Sequence, residues 1–434
     1  MQITFSETID ADPASNVDLS KLFIAQTTGD NHLALAGATV TATEALTITI
    51  TLAEAQRVTA LQASATDGGD GGAVVLDILA DFVFDIGLQT NAAHMGVSVA
   101  ETEDSIIPQI SYANIDYNAG LLTIFATETL DVNPASKVDL SKIFVVNQAS
   151  ARDSCTTDGI SATCGFALSG AAVTAQNGEH FNITLTEAQR VLSIAISGTA
   201  GGDTGAILLD FDASAYQDVG LNRNQAQTGV AVNEVADTTP PTATSVAINY
   251  GTGAVIIQTN EVVDITPITN LDLSKIYISQ SDGDETIQLL GVHSSVSADA
   301  TNIQVTLTEA QRIAALKISG TAGGDGAKVI FEIKAGAFKD IAQNVGFEGR
   351  EREREGERGK EQDGQATAHT IPSQTEHTRT NAVWLGRERN CRHSDPSLHA
   401  GKLGPEQWPT YCKRQRDAGC DPNVPRPAEQ DISS

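Results

Sequence analysis

Aspartates on glycine-rich turns are the side chains of this sequence best suited to binding an ion. They occur in "TDGGDGG", "AGGD" and "SDGDE", and their carboxylates are hard oxygen ligands of the kind that calcium prefers. No DxDxDG loop is present, and aspartate is also a common turn former, so calcium binding and turn formation both stay open. The candidate calcium ligands are Asp67, Asp70, Asp203, Asp282, Asp284 and Asp325.

No residue pattern indicates catalysis. Paired carboxylates do acid–base chemistry when they converge in a cleft with separated pKa values. Here the acidic residues recur at matching places in successive segments, which favours a structural role. His32, His94, His180 and His293 share no such place, and no Ser/His/Asp set has motif context. We therefore expect a protein that is not an enzyme and needs no cofactor, with calcium as the candidate ion for the glycine-rich turns.

Self-similarity organises residues 1–348 into three repeats. The motif "DLSK" occurs three times, and its aspartates are 121 and 133 residues apart, about the length of one β-sandwich domain. The motif "EAQR" follows in each repeat. We expect both motifs to mark recurring structural positions, which are Asp18, Asp139, Asp272, Arg57, Arg190 and Arg312.

The elements that must position these residues are short strands. Apolar residues alternate with a period of two in "LLTIFATET" and "AVIIQTNE", between clusters of Gly, Asp, Asn and Pro. This pattern predicts an antiparallel sandwich in each repeat. The one helical signal is the capping-box spacing of Thr186 with Gln189 and of Thr308 with Gln311, which predicts a single helical turn.

Two proline-containing linkers separate the repeats. Pro108 lies in the first, and Pro240 with Pro241 in the second, which makes both linkers short and stiff. The expected domains are repeat one (1–107), repeat two (108–237), repeat three (238–348) and a tail (349–434).

Repeat one lacks the leader that opens the other two repeats. "SYANIDYNAG" precedes the first long strand of repeat two and "SVAINYGTG" that of repeat three, whereas Met1 directly begins the corresponding strand of repeat one. We expect repeat one to lack its first strand and to expose an unpaired edge. The chain is then an internal fragment whose signal peptide was lost by truncation.

The linker "DTTPP", followed by a strand such as "NEVVD" or "SETID", resembles bacterial immunoglobulin-like tandem repeats of secreted and S-layer-type surface proteins. The resemblance covers residues 1–348. It implies an all-β chain of tandem immunoglobulin-like antiparallel β-sandwiches and says little about a ligand.

The function expected from these repeats is a non-catalytic spacer or adhesive stalk within a larger extracellular or cell-surface protein. Two alternatives stay open: an accessory non-catalytic region of a secreted polysaccharide-active enzyme, or adhesin repeats made rigid by calcium. Expected partners are other repeats of the same parent protein and a surface polymer or protein of unknown identity.

Charge excludes two classes of partner. Residues 1–348 hold 13 Lys and Arg against 41 Asp and Glu, a difference that accounts for the whole net charge of −28. An acidic body of this kind is not expected to bind nucleic acid or anionic lipid, which requires clustered basic residues. No run of eighteen apolar residues is present, so we expect no membrane insertion.

Two cysteines lie in an insertion of about a dozen residues that is peculiar to repeat two. Cys155 and Cys164 occur in "DSCTTDGISATCGF", and a disulfide closing this loop fits an oxidising compartment. Free thiols in a cytoplasmic protein are the alternative. We expect the disulfide, and with it an extracellular or cell-surface location.

The tail (349–434) differs in composition from the three repeats, and it allows three interpretations. Its cysteines and histidines could form a zinc site, but no Cys-x-x-Cys pair supports this. It could be disordered. It could also be a fourth repeat in the wrong frame, because a one-nucleotide shift lets residues 363–369, 388–393 and 402–408 encode "DTTPP"-, "NEVVD"- and "NLDLSK"-like sequences in order. We favour the third interpretation. The zinc candidates are Cys391, His393, His399, Cys412 and Cys420.

Overall fold

The structure is a computed structural model of the chain. It describes residues 1–152, 155, 163–281, 283–291, 293–294, 298–347 and 349–352. All of them belong to a compact unit that spans Met1–Gly359. The three interpretations of the tail concern residues almost all outside this described part, and the candidate ligand Asp282 is outside it as well.

The described chain is mostly β-strand, in several sheets with largely antiparallel pairing and few helices, which confirms the β-rich fold predicted from the sequence. Repeat one contains β1 (Gln2–Ile9), β2 (Leu22–Ala25), β3 (Leu33–Ala34), β4 (Thr39–Val40), β5 (Ala45–Thr51), α1 (Glu54–Gln62), β6 (Val75–Ile78) and β7 (His94–Ser98). Repeat two contains β8 (Ile110–Asp116), β9 (Leu121–Leu130), β10 (Ile143–Val146), β11 (Gly165–Ala167), β12 (Ala172–Val173), β13 (Gly178–Thr184), α2 (Glu187–Ala195), β14 (Leu208–Phe211) and β15 (Gln227–Val235). Repeat three contains β16 (Ala243–Asn249), β17 (Ala254–Val263), β18 (Ile276–Ser279), β19 (Ile287–Gln288), β20 (His293–Ser294), β21 (Ala300–Thr306), α3 (Glu309–Lys317), β22 (Ile330–Ile333) and β23 (Gly349–Arg352).

Side chains alternate between buried and exposed along the strands, and the buried ones form the core of each repeat. In β17, for example, Val255 and Ile257 are fully buried while Gln258 is exposed, as the period of two requires. Each repeat has its own cluster of buried Ile, Leu, Val and Phe side chains, which come from both of its groups of strands. No helix in the described part of the chain is long and apolar enough to cross a membrane.

The first strand of repeat two joins its two groups of strands. β8 pairs antiparallel with β9 on one side and parallel with β15 on the other, which gives one sheet of order β11-β10-β14-β15-β8-β9-β13-β12. In repeat three, β16 pairs with β17 and lies beside β23, so β23 completes a sheet just beyond residue 348, where the sequence predicted repeat three to end.

Each "EAQR" segment forms a longer helix than the single turn predicted. α1, α2 and α3 each have nine residues. In α2 the buried Val191 and Ile194 lie three residues apart on one face, and their packing on the core extends the helix beyond its capping box. The cap itself forms as predicted: Thr186 accepts from the backbone N–H of Gln189, whose Oε1 accepts from that of Thr186.

A groove of about 820 Å³ opens in repeat one where β8 lies in repeat two. No described strand of repeat one lies between β1 and β7, so its sheets stay separate, in the orders β1-β5-β4 and β3-β2-β6-β7. Apolar side chains such as Ile3, Leu52, Val97 and Val99 line the groove. In the described part of repeat one, therefore, no strand occupies the place that β8 takes in repeat two.

Grafting residues 109–121 in front of Met1 should close this groove. In repeat two the segment buries Ile110 and Ile115, and each such burial contributes about 1.5–3 kcal/mol. We expect the unfolding transition of repeat one to rise by several degrees in differential scanning calorimetry. The matched control is the same graft with both isoleucines replaced by aspartate, and equal transition temperatures for the two grafts would contradict the prediction.

Candidate functional site at the joints between repeats

The first component of the site is an ion pair between two residues of the same helix. Glu54 lies in the first turn of α1 and Arg57 lies three residues later on the same face. Arg57 Nε and Nη2 donate to the two carboxylate oxygens of Glu54, both at 2.7 Å. Equivalent pairs form in the other helices, between Glu187 and Arg190 and between Glu309 and Arg312.

Arg57 then links repeat one to repeat two. Its Nη1 donates to Asp104 Oδ2 in the linker at 2.7 Å, and its Nη2 donates to Glu128 Oε2 in β9 at 3.2 Å. Glu54 contributes too, because its Oε1 accepts from the backbone N–H of Thr129 at 3.0 Å. The helix of one repeat is thus fastened to both the linker and a strand of the next.

The same contacts recur between repeats two and three. Arg190 Nη1 donates to Asp237 Oδ2 at 2.6 Å and Nη2 to Glu261 Oε2 at 2.9 Å. The Val262 N–H donates to Glu187 Oε1 at 2.8 Å. We call these two places joint one and joint two.

A third carboxylate completes each joint. It comes from the docking loop, which we define as residues 85–89, 218–222 and 340–344 of the successive repeats. At joint one, Asn222 donates through its N–H and Nδ2 to Asp218, and through Nδ2 to the Asp104 carbonyl at 3.1 Å. Carboxylate oxygens of Asp104, Glu128 and Asp218 lie within 4.8 Å of one another. The same holds at joint two for Asp237, Glu261 and Asp340.

Burial makes the charged state of these carboxylates costly. Desolvation, with the neighbouring charges of Asp218 and Asp104, raises the pKa of Glu128 to about 7. Desolvation likewise raises the pKa of Glu261 to about 7. By contrast, the hydrogen bonds from Arg57 lower the pKa of Glu54 to about 2. Glu54 is thus well paired at joint one, whereas the negative charges of Glu128 and Glu261 are poorly compensated.

Close backbone packing accompanies the ion pairs. Gly68 has a φ of +87°, and a Cβ on it would lie 2.0 Å from the Val219 carbonyl oxygen in the docking loop of repeat two. Gly201 repeats this arrangement against Ile341 of repeat three, also at 2.0 Å. Glycine is required there both for its backbone conformation and for the approach of the next repeat.

Repeat one has residues at the equivalent positions, but in this chain it has no preceding repeat on which they could dock. Glu7 occupies the place of Glu128 and is exposed. Ile86 occupies the place of Val219 in the docking loop, and its exposed fraction is 54%, against 4% for Val219. Docking between repeats therefore causes the burial seen at the joints.

The predicted repeat positions divide into two groups. The "DLSK" aspartates cap short 3-10 segments: Asp18, Asp139 and Asp272 each accept from the N–H of the serine two residues later. Arg57 and Arg190 instead build the joints. Arg312 binds its own helix partner and the Tyr250 carbonyl oxygen, at 2.7 Å.

The candidate calcium ligands that the structure describes lie on turns and belong to neither carboxylate cluster. Asp70 and Asp203 accept from backbone N–H groups two residues later at 2.8 Å, and Asp325 does so at 3.0 Å. Asp284 accepts from the Ser281 hydroxyl, and Asp67 belongs to the same turn as Asp70. The described residues include no group of three close carboxylates that contains any of them. Calcium binding on these turns stays a prediction.

The two cysteines of repeat two are bonded to each other. Their Cα atoms are 5.3 Å apart, and Cys164 is fully buried next to the core. Most of the loop between them lies outside the described residues.

Sequence reasoning missed the carboxylates of the joints. The candidates that the sequence offers include Arg57 but none of Glu54, Asp104 and Glu128. A signal was available, because Asp104 and Asp237 are 133 residues apart, as are Glu128 and Glu261. No protein-family model matches the chain, and no curated protein is significantly similar to it.

Replacing Arg190 by alanine should strongly destabilise the chain, whereas the same change at Arg312 should not. Removing one partner of a buried ion pair costs about 3–5 kcal/mol, and the Arg190 side chain is only 8% exposed. Arg312 pairs with a Glu309 side chain that is 67% exposed, where the cost is about 0–1 kcal/mol. Calorimetric unfolding of both variants checks this, and equal destabilisation would contradict a special role for the joint.

Proposed function

We propose that this chain is a non-catalytic stalk segment of a larger extracellular or cell-surface protein, built from tandem immunoglobulin-like β-sandwiches. The observation that carries the proposal is the repetition of one joint. Arg57 and Arg190 make matching contacts with the linker and the next repeat, so each successive repeat is held in the same way. A spacer requires this property, because its length depends on the angle at every joint.

The chemistry of the joint supports stiffness rather than loose tethering. A guanidinium that binds one carboxylate of the linker and one of the next repeat fixes direction as well as distance, because its donors lie in a rigid plane. The linkers add to this, since Pro108, Pro240 and Pro241 restrict the backbone between repeats.

The disulfide and the acidic surface support a location outside the cytoplasm. A bond between Cys155 and Cys164 persists in an oxidising compartment. A net charge of −28 keeps a long array soluble and disfavours association with nucleic acid.

The natural partner of the repeats is another repeat. The docking loop of repeat one presents Asp85 and Ile86 at the places of Asp218 and Val219, which are buried at joint one. Arg312 and Glu309 present the matching ion pair at the other end of the array. Further copies of the same unit in a parent protein would continue the array through the same contacts.

Stiffness at joint two can be measured directly. Spin labels at Glu179→Cys in repeat two and Gln258→Cys in repeat three, with the three cysteines beyond residue 390 changed to serine, report one distance across the joint. We expect a narrow distance distribution by double electron–electron resonance. Gly201→Ala should broaden it, because a Cβ there collides with Ile341.

The matched control is Gly323→Ala. Gly323 has a similar φ of +96°, so the backbone strain is the same, but a Cβ there would meet nothing closer than 3.9 Å. This variant should keep the narrow distribution. A broad distribution in the unmodified chain would contradict a stiff stalk.

A second candidate function, polysaccharide binding, rests on three aromatic rings. Tyr112, Phe125 and His180 lie side by side on neighbouring strands of repeat two, with ring centroids 4.5 Å and 5.4 Å apart. Tyr112 and His180 are exposed. Because the rings stack on one another, the faces that they turn towards each other are covered, whereas a sugar requires an open ring face. This arrangement favours the stalk over the polysaccharide-binding region.

A pull-down with insoluble cellulose, xylan and chitin separates the two candidates. The stalk proposal predicts that the chain stays in the supernatant. Retention on one polymer that is lost in Tyr112→Ala, and kept in the control Tyr277→Ala, would favour the second candidate.

A further inference from the structure

A buried carboxylate oxygen at joint one has no hydrogen-bond partner. Glu128 is 8% exposed; its Oε2 accepts from Arg57, while its Oε1 is buried and bonded to no donor. A buried acceptor without a partner is uncommon in folded proteins and points to a missing ligand. At joint two the corresponding Glu261 Oε1 accepts only from Asn260, at 3.2 Å.

Charge at each joint is unbalanced in the same direction. Four carboxylates converge at joint one, from Glu54, Asp104, Glu128 and Asp218, and one guanidinium contacts three of them. Like charges in a desolvated site repel strongly unless a cation or a proton compensates them. Joint two has the same composition, with Arg190 as its guanidinium.

The spacing of the oxygens suits one shared cation. Calcium binds oxygens at about 2.3–2.6 Å, so two ligands on opposite sides of one ion are about 4.6–5.2 Å apart. Carboxylate oxygens of the three acidic residues at each joint lie within 4.8 Å of one another. All of these ligands are oxygens, which favours calcium over zinc or copper.

We propose that the three carboxylates at each joint bind one Ca²⁺ ion. The ligands are Asp104, Glu128 and Asp218 at joint one, and Asp237, Glu261 and Asp340 at joint two. Arg57 or Arg190 remains on the outer side of the set, and water completes the coordination. These positions differ from the glycine-rich turns that the sequence suggested. The proposal does not depend on the stalk role, because the ion binds or fails to bind whatever the chain does in its parent protein.

Ion binding at these positions couples calcium to the docking of repeats. One ligand comes from the linker, one from the first long strand of the following repeat, and one from its docking loop. Repeat one offers a natural comparison, since Glu7 and Asp85 occupy the places of Glu128 and Asp218 without a linker carboxylate. We expect no ion there.

Isothermal titration calorimetry of CaCl₂ into the EDTA-stripped full chain tests the proposal. The expected result is two Ca²⁺ per chain. Glu128→Gln and Glu261→Gln should each weaken one site at least tenfold, and the double variant should lose both. The matched control Glu7→Gln makes the same chemical change at the exposed equivalent position and should keep two sites.

A second readout covers the case in which binding releases little heat. CaCl₂ should raise the unfolding temperature of the unmodified chain and leave that of the double variant unchanged, with matching circular dichroism spectra in EDTA. If Glu128→Gln fails to fold, Asp218→Asn removes a ligand of the same site and should give the same loss. Absence of Ca²⁺ binding would overturn the proposal. Equal binding by the double variant would also overturn it and would favour the glycine-rich turns as the binding sites.

Discussion

The structure of this array depends on one buried arginine that is shared between two repeats. Arg190 forms a fork with Glu187 of its own helix and binds Asp237 in the linker and Glu261 in the next repeat. Its charge would be costly to bury without these carboxylates, and they would be costly to bury without it. The ion pair and the docking of repeats are therefore mutually dependent, which gives each joint one preferred arrangement.

Packing at the joint reinforces the ion pair. Gly201 allows the docking loop of repeat three to lie directly on the turn of repeat two, and Ala342 of that loop packs with the core cluster of repeat two. A small apolar contact, a close backbone approach and an oriented charge pair act within one short stretch of each repeat. Because they are close together, the repeats need only a few residues each to define their relative position.

The strands, the recurrence of Arg57, Arg190 and Arg312, and the helix caps could be predicted from sequence. Each follows from local rules: alternation of apolar residues, spacing of a capping box, and self-similarity along the chain. Helix length could not be predicted in this way, because Val191 and Ile194 extend α2 by packing on a core that local sequence does not specify.

The contacts and the burial at the joints depend on tertiary structure. By itself the sequence determined that three similar β-rich units follow one another and that certain acidic and basic residues recur. Only folding brings Glu54 to the Thr129 N–H and Arg57 to Glu128; these partners are far apart in the chain and meet when the next repeat docks. Burial at the joint then changes the electrostatic environment of these carboxylates. Glu7, the same residue type at the same repeat position, stays exposed without a preceding repeat. Sequence fixes residue types and spacing, but desolvation depends on which surfaces meet.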